Sequence, residues 1–249
     1  MLKLYHAAPF ANSGKVLIAL KEKGLPFESR FIDLHRFEQH EPWFLELNPE
    51  GQVPVLDHDG FLVTQTSIIN EYLEDAFPDA PGLRPEDPKD IARMRIWNKY
   101  IDEQVMEAVS IHGWQTRARA TALSLDEAEF ERYLARIPLE KQRRKWRQAR
   151  EGFPQADLDA ATSIVEEAAR RVEKQLADGP WLLGDVFTLA DINFYAYCGG
   201  GLERLFPAIG NRDKCPRLLD WVDRMHARPG VAAALAIEVP QSVGNAKGN

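Results

Sequence analysis

The sequence predicts a small α/β domain followed by an all-α domain, and three observations support this prediction. Residues 1–78 contain short alternating segments separated by helical stripes. Residues 79–88 are rich in proline, as expected of a linker. Residues 89–238 offer no convincing pair of strands, and their apolar residues recur at helical spacing.

The first domain begins with a predicted βαβ unit. Residues 2–5 and 27–31 alternate between apolar and polar side chains, as strands do. A helix with Val16 and Leu20 on one face lies between them and is expected to end at Gly24. So short a strand–helix–strand unit predicts a parallel pair of strands.

The rest of this domain is predicted as an irregular helical segment, a hairpin and a helix. The hairpin is indicated by Asp59-Gly60 between two short apolar runs. The last helix carries Ile69 and Leu73 on one face and ends before Pro78. The resulting order, βαβ, irregular helix, ββ, α, matches the thioredoxin-like topology.

The second domain is predicted to contain one long helix and further helices over residues 157–177, 189–205 and 216–227. Thr188 and Asp191 have the spacing of a helix capping box. The long helix carries, at three- to four-residue spacing, Met94, Trp97, Ile101, Val105 and Val109. An insertion over about residues 115–153 enlarges this domain, and the polar tail 239–249 is expected to be disordered.

The composition favours a soluble protein of a reducing compartment. The chain has 249 residues, 45% of them hydrophobic, and a formal net charge of -7, so nucleic acid and anionic membranes are poor partners. With Cys198 and Cys215 alone, free thiols are favoured over a disulfide. We find no membrane span and no signal peptide, and therefore expect a cytoplasmic protein. The histidines lack partners at metal-ligand spacing, so we expect no metal.

The segment 49–73 is the most informative part of the sequence. Pro54, at the entry of a strand, cannot donate to the ladder. If the bond before it is cis, the N–H and C=O of Val53 face outward and can pair with an extended peptide. The helix start at residues 65–67 offers free N–H groups and the positive end of a helix dipole. One surface could therefore hold a short peptide and its terminal carboxylate, and glutathione is such a ligand.

This segment resembles the glutathione-binding half of the glutathione S-transferases. In that family the match to Gln65-Thr66 is usually Glu-Ser, so here the negative charge that attracts the ammonium group of glutathione is missing. Thr66 retains a hydroxyl group for the carboxylate. The residues that the resemblance assigns to glutathione, as co-substrate, are Gln39, His40, Gln52, Val53, Pro54, Gln65 and Thr66.

Ser13 and Asn12 are the candidates for stabilising the glutathione thiolate, which is the reactive form. A free thiol with a pKa of about 8.5 is mostly protonated at neutral pH. A hydroxyl or amide donor at the start of the first helix would favour the anion. A plain N-cap is the structural alternative for Ser13. Lys15 is expected to be solvated, and Asp102 to be either exposed or, by family analogy, directed across a dimer interface.

The insertion narrows the resemblance to the bacterial glutathione-dependent β-etherases of lignin degradation, of the Fu-like type. The motifs that carry this likeness are Ala11-Asn12-Ser13, Phe37-Glu38-Gln39-His40, Gly51-Gln52-Val53-Pro54, Gly113-Trp114 and Lys145-Trp146-Arg147. The resemblance implies a homodimer in which the glutathione thiolate displaces a phenolate from a β-aryl ether ketone, with stereoselectivity and without a redox cofactor. The side chains expected to line an aromatic pocket are Trp114, Gln142, Trp146 and Phe153.

Two other functions remain open from the sequence. One is a general detoxifying transferase, and the other is a non-catalytic protein that binds glutathione. A thioredoxin-like disulfide reductase is disfavoured because the chain has no Cys-x-x-Cys motif.

Overall fold

One mixed sheet organises the N-terminal region of the computed structural model, which describes residues 1–199 and 201–240. In space its strands run in the order β2-β1-β3-β4. They are β1 (Leu2–His6), β2 (Phe27–Phe31), β3 (Val55–His58) and β4 (Phe61–Val63). β1 and β2 are parallel, with Leu4 opposite Ser29, whereas β3 is antiparallel to both of its neighbours. The predicted βαβ unit and hairpin are confirmed, and β2 is an edge strand.

Three helices accompany the sheet: α1 (Ala11–Glu22), α2 (Pro42–Leu47) and α3 (Thr66–Ala76). The segment between β2 and α2 forms two 3₁₀ turns, Leu34–Arg36 and Glu38–His40, which accounts for its weak helical pattern. This order of elements is the predicted thioredoxin-like topology.

The remainder of the described chain is helical, which confirms the predicted two-part fold. Its helices are α4 (Pro88–Tyr100), α5 (Met106–Gly113), α6 (Arg119–Ser124), α7 (Glu127–Arg136), α8 (Glu140–Glu151), α9 (Gln155–Gln175), α10 (Leu189–Cys198), α11 (Leu202–Leu205), α12 (Pro216–Ala227) and α13 (Pro229–Leu235). Two π-helical turns, Ile101–Val105 and Trp114–Ala118, join α4, α5 and α6 into the predicted long helix.

The C-terminal part of the helical region differs from one prediction and leaves another outside the described residues. A single helix over residues 189–205 is wrong, because α10 ends at Cys198 and α11 begins at Leu202. Gly199 and Gly201 flank the break as C-cap and N-cap residues, and glycine disfavours a helix interior. Of the tail predicted to be disordered, residues 241–249 lie outside the described part.

The first helix, α1, is the centre of the packing. Its residues from Ser13 to Leu20 are all buried, because α3 covers one side and α10 and α13 cover the other. Arg228 donates to both carboxylate oxygens of Glu22, at 3.0 and 2.6 Å, and so ties α13 to the end of α1. One hydrophobic core therefore runs through both regions, with the start of α1 at the boundary between them.

The predicted capping box at the start of α10 is confirmed. Asp191 is fully buried and accepts hydrogen bonds from the backbone N–H of Thr188, at 3.0 Å, and from Trp221 Nε1, also at 3.0 Å. Burial raises the pKa of Asp191 to about 6. In the described ranges 1–199 and 201–240, no helix is long and apolar enough to cross a bilayer.

Candidate active site

Ser13 lies in the first turn of α1 and does not cap it. The N-cap residue is Phe10, so the N-cap interpretation of Ser13 is wrong. The buried Ser13 Oγ accepts a hydrogen bond from the backbone N–H of Ala7 at 2.9 Å. Because that bond uses a lone pair of the hydroxyl group, its proton remains available to donate to an anion.

Asn12 is exposed and joins α1 to the helical region. Its Oδ1 accepts a short hydrogen bond from the hydroxyl group of Tyr197 on α10. Burial raises the pKa of the Tyr197 hydroxyl, which therefore keeps its proton and acts as the donor. The contact occupies the oxygen of the Asn12 amide, and the amide nitrogen has no hydrogen-bond partner among the described residues.

Lys15 is buried, contrary to the expectation that it is solvated. Its side chain is 1% exposed, and its Nζ lies 2.7 Å from Asp102 Oδ1 in the π-helical turn after α4. The hydroxyl group of Ser67, in α3, donates a short hydrogen bond to the other oxygen of Asp102. Burial lowers the pKa of Lys15, while Asp102 acts in the opposite direction.

These contacts also correct the interpretation of Asp102. Its carboxylate pairs within its own chain, with Lys15 and Ser67, so it is not a free surface acid. The cluster ties the start of α1 to the start of α3 and to the helical region. One feature of the sequence could have indicated it: Lys15 is the one charged residue between Ser13 and Leu20, a stretch otherwise made of small and apolar residues.

The loop before β3 carries the backbone groups predicted to pair with a peptide. The Val53-Pro54 bond is cis, and Pro54 is buried. Asn48 Nδ2 donates to the carbonyl oxygen of Gln52 at 2.8 Å and so fixes the approach to this loop. Across residues 1–199 and 201–240, no group hydrogen-bonds to the N–H or C=O of Val53, so both are free for a ligand.

Gln65 and Thr66 stand at the start of α3, as predicted. Gln65 is the N-cap residue, with a φ of 66°, and Thr66 is the first residue of the helix. Gln65 Nε2 donates to Glu50 Oε2 at 3.2 Å. The carboxylate of Glu50 therefore lies beside Gln65, the position at which the family usually has a negatively charged glutamate. The sequence analysis did not select Glu50 for this role.

Gln39 and His40 are buried beside the same loop. Gly51, with a φ of 62°, allows this contact, because a Cβ atom there would lie 2.5 Å from His40 Cδ2. Burial and, to a lesser extent, the nearby Arg136 guanidinium together lower the pKa of His40 to about 4, although the Gln142 side chain and the Gly51 backbone oppose the shift. Gln39 Oε1 and both ring nitrogens of His40 lack hydrogen-bond partners within the described chain, and are thus available to a polar ligand.

The four residues predicted to line an aromatic pocket differ in exposure. Trp146 is 7% exposed, and its ring lies 4.7 Å from that of Phe37 and 5.0 Å from that of Trp114. Phe153 is also buried, and its backbone N–H donates to Gln115 Oε1 at 3.0 Å. Trp114 and Gln142 are partly exposed. The structure thus brings the two tryptophans together and places Gln142 beside His40.

Phe10 is an aromatic residue that the sequence analysis did not select. It is 49% exposed, immediately before α1, and the guanidinium group of Arg117 lies 5.1 Å from the centre of its ring. This contact and the Asn12–Tyr197 bond connect the start of α1 with the helical region.

No group of three or more potential ligands that could hold a metal occurs in the described residues. Both cysteines are free and buried.

Comparison with known proteins places this geometry in a family. Residues 1–75 match the family model of the glutathione S-transferase N-terminal domain, and residues 120–224 match that of the C-terminal domain. The protein LigF of Sphingobium sp. strain SYK-6 is 44% identical over 235 residues, which is 92% of this chain and 91% of LigF.

Solved structures give the same result. The crystal structure of the beta-etherase LigF has a TM-score of 0.91 and 43% identity, covering 94% of this chain and 98% of LigF. A glutathione transferase homologue from Sulfitobacter, crystallised with bound glutathione, has a TM-score of 0.67 and 26% identity, covering 94% of this chain and 96% of the homologue. The chain therefore belongs to the glutathione S-transferase family.

Proposed function

We propose that this protein is a stereoselective β-etherase that uses glutathione to cleave β-aryl ether ketones. The observation that carries the proposal is the likeness to the beta-etherase LigF, which extends over 92% of the chain at 44% identity and therefore includes the insertion. Relatives of lower identity resemble glutathione transferases in general, and one of them was crystallised with glutathione.

In this proposal glutathione lies along the edge formed by the loop before β3 and the start of α3. The free backbone groups of Val53 pair with its cysteinyl residue, as an added strand would. Thr66 and the N-terminus of α3, an 11-residue helix, receive the γ-glutamyl carboxylate. Glu50 supplies the charge for the ammonium group. The ring N–H of His40, whose nitrogens lack partners in the described chain, and the side-chain nitrogen of Gln39 donate to the glycyl carboxylate.

Ser13 holds the thiolate. Its hydroxyl group already accepts a hydrogen bond from the Ala7 N–H, and its proton is free to donate to sulfur. The N-terminus of α1, a 12-residue helix, adds a favourable electrostatic term. Asn12, whose amide is oriented by Tyr197, is the second donor.

The proposed reaction is a displacement at carbon. The thiolate attacks the carbon that bears the aryl ether, next to the ketone. The carbon–sulfur bond forms as the carbon–oxygen bond breaks, and the electron pair of that bond leaves with the phenolate. Glutathione is consumed as the thioether, and the oxidation states balance without a redox cofactor. The protein contributes alignment and stabilisation of charge.

The aromatic substrate is proposed to bind between the start of α1 and the insertion. Of the four predicted pocket residues, the partly exposed Trp114 and Gln142 are suited to touch it. The buried Trp146 and Phe153 would support the wall from behind. Phe10, immediately before α1, offers a further exposed ring. We also expect a homodimer from the family resemblance, which sedimentation velocity tests.

Separate incubations of the two enantiomers of a β-aryl ether ketone, each with and without glutathione, test this function. We expect one enantiomer to release the phenol and to form the glutathione thioether in equal amounts, as detected by mass spectrometry. Turnover of a simple aryl halide without ether cleavage would identify a general transferase. Binding of glutathione without turnover of either substrate class would identify a binding protein.

A further inference from the structure

His6, the last residue of β1, is a buried polar side chain to which the proposed reaction gives no role. Its Nδ1 lies 2.6 Å from the carbonyl oxygen of Ala7, and its Nε2 lies 2.6 Å from the hydroxyl oxygen of Ser29 on the neighbouring strand β2. Both ring nitrogens are therefore engaged, although the side chain is in the core.

The partners of His6 define its tautomer. A carbonyl oxygen can only accept a hydrogen bond, so Nδ1 carries the proton and donates it to Ala7. Nε2 is then the acceptor and receives the hydroxyl proton of Ser29. Burial lowers the pKa of His6, while the bond to the Ala7 carbonyl opposes this shift; burial thus favours the neutral ring, in which Nε2 accepts from Ser29.

Ala7 is held on both sides of its Cα atom. Its C=O accepts from His6 Nδ1, and its N–H donates to Ser13 Oγ at 2.9 Å. The peptide group that carries this N–H is itself fixed, because its carbonyl oxygen, that of His6, accepts from the Ile32 N–H at 2.8 Å. The His6 ring holds the next peptide group, which carries the Ala7 carbonyl and from which the chain continues toward Ser13.

We propose that His6 is a positioning residue for the glutathione thiolate, because its ring fixes Ala7 and the Ala7 N–H fixes the hydroxyl group of Ser13. The inference rests on the proposed role of Ser13. With its lone pair engaged by Ala7, the Ser13 hydroxyl keeps its proton directed toward the sulfur. Loss of the His6–Ala7 bond would let the chain between Ala7 and Ser13 shift, which would lengthen the Ala7–Ser13 hydrogen bond, weaken the donor and raise the pKa of the bound thiol.

Two conservative variants separate this role from simple packing. The side-chain nitrogen of an asparagine can occupy the place of Nδ1, so H6N keeps a donor for the Ala7 carbonyl. The amide group of a glutamine reaches the place of Nε2, so H6Q keeps the contact with Ser29 and loses the donor. The readout is the pKa of the thiol in the glutathione complex, followed by the ultraviolet absorbance of the thiolate, alongside the thermal midpoint of each variant.

We expect H6Q to raise the thiol pKa by about half a unit or more, and H6N to raise it clearly less. In the S13A background, H6Q should add no further increase, because the effect passes through Ser13. Equal shifts in H6N and H6Q, or no shift in H6Q, would overturn the proposal.

Two further variants keep the result interpretable. If S13A alone leaves the thiol pKa at the wild-type value, the proposed role of Ser13 fails and the role of His6 fails with it. If S13A raises the pKa and H6Q does not, only the role of His6 fails. Should H6Q not fold, S29A at the exposed edge strand removes the partner of Nε2. A raised pKa in S29A would then support the proposal, and an unchanged one would contradict it.

Discussion

The glutathione edge, residues 48–67, and the insertion, residues 115–153, are organised by different forces. Along the glutathione edge, short-range features set the positions of the backbone groups: an asparagine four residues before its acceptor and a helix start. In the insertion, the positions of the aromatic rings are set by partners far away in sequence. Trp146 packs against Phe37, which belongs to the N-terminal region.

This difference explains which residues touch a ligand in each region. Among the residues that the structure describes, the backbone polar groups of Val53 on the glutathione edge have no hydrogen-bond partner, and in the proposed function glutathione pairs with them. The insertion instead closes its own core. Phe37 stacks on Tyr133 with 4.6 Å between ring centres, and the buried set also contains Ala122, Phe130, Leu134, Ile137 and Trp146. The main role of the aromatic residues in the insertion is thus to stabilise this buried cluster, and contact with a substrate is secondary.

Truncation of Trp146 should have the largest effect. We expect W146A to lower the free energy of unfolding by about 3–5 kcal/mol, because a buried indole is lost from the Phe37 cluster. It should also weaken glutathione binding, since Phe37 lies beside Gln39 and His40. Urea unfolding and calorimetric titration measure the two quantities. The control is L123A in the same insertion, at a side chain that is 55% exposed, with an expected change within about 0.5 kcal/mol.

The comparison would fail if W146A kept its stability and its glutathione affinity but lost ether cleavage. Trp146 would then be a pocket wall and not a support.

Removal of the Lys15 charge should come next. We expect K15M to cost about 2 kcal/mol of stability, because Asp102 loses its partner, with a discount for its partial exposure. The double variant K15M/D102N should recover part of this loss. Urea unfolding of K15M, D102N and the double variant forms a double-mutant cycle. Strictly additive losses would show that the pair does not join the two regions energetically.

Ser13→Ala should lower kcat/KM about ten- to hundredfold, because a hydrogen bond to an anion is lost. The pKa of the bound thiol should rise by about one to two units. Steady-state kinetics with excess ether substrate and ultraviolet titration of the complex measure these effects. Ser163→Ala, at an exposed position of α9, is the matched control. Unchanged kinetics in the Ser13 variant would transfer the role to Asn12.

Acid should destabilise the protein through His40. Its native pKa is held at about 4, below its ordinary value of 6.5, mainly by burial. The unfolded chain therefore binds a proton that the native chain does not, and stability falls as the pH drops from 6.5 toward 4. Between about pH 7 and about pH 5.5 we expect a loss on the order of 1 kcal/mol from this residue. Urea unfolding of wild type and H40Q measures it, and equal pH dependence in both would refute the assignment.

The smallest effect concerns Glu50. We expect E50Q to weaken glutathione binding about two- to fivefold, because an exposed charge near the ammonium group is removed. High salt should reduce the difference. Calorimetric titration measures it, with E46Q, another exposed acid before the same loop, as the control. Equal glutathione affinities of E50Q and E46Q would show that Glu50 does not bind the ammonium group.

Much of the fold and of the glutathione edge follows from the sequence, because local chemistry determines it. Asp59-Gly60 specifies a hairpin, and Thr188 with Asp191 specifies a helix start, whatever the rest of the chain does. The break between α10 and α11 is also a local effect, because Gly199 and Gly201 flank it and glycine disfavours a helix interior.

The remainder could not be read locally. The burial of Lys15 depends on Asp102, 87 residues away, and on Ser67, 52 residues away. The contact between the Glu50 carboxylate and Gln65 depends on a loop that folds back onto the start of α3. The support role of Trp146 depends on Phe37, whose place is known only once the two regions have packed. Each is a pairing across the fold, for which no spacing rule exists.

The most direct test of the proposed reaction is a progress curve of phenol release from a racemic, fluorogenic β-aryl ether ketone, with and without glutathione. The account predicts release that requires glutathione, stops near half conversion and yields one thioether per phenol. Absence of release with glutathione binding intact would contradict the account.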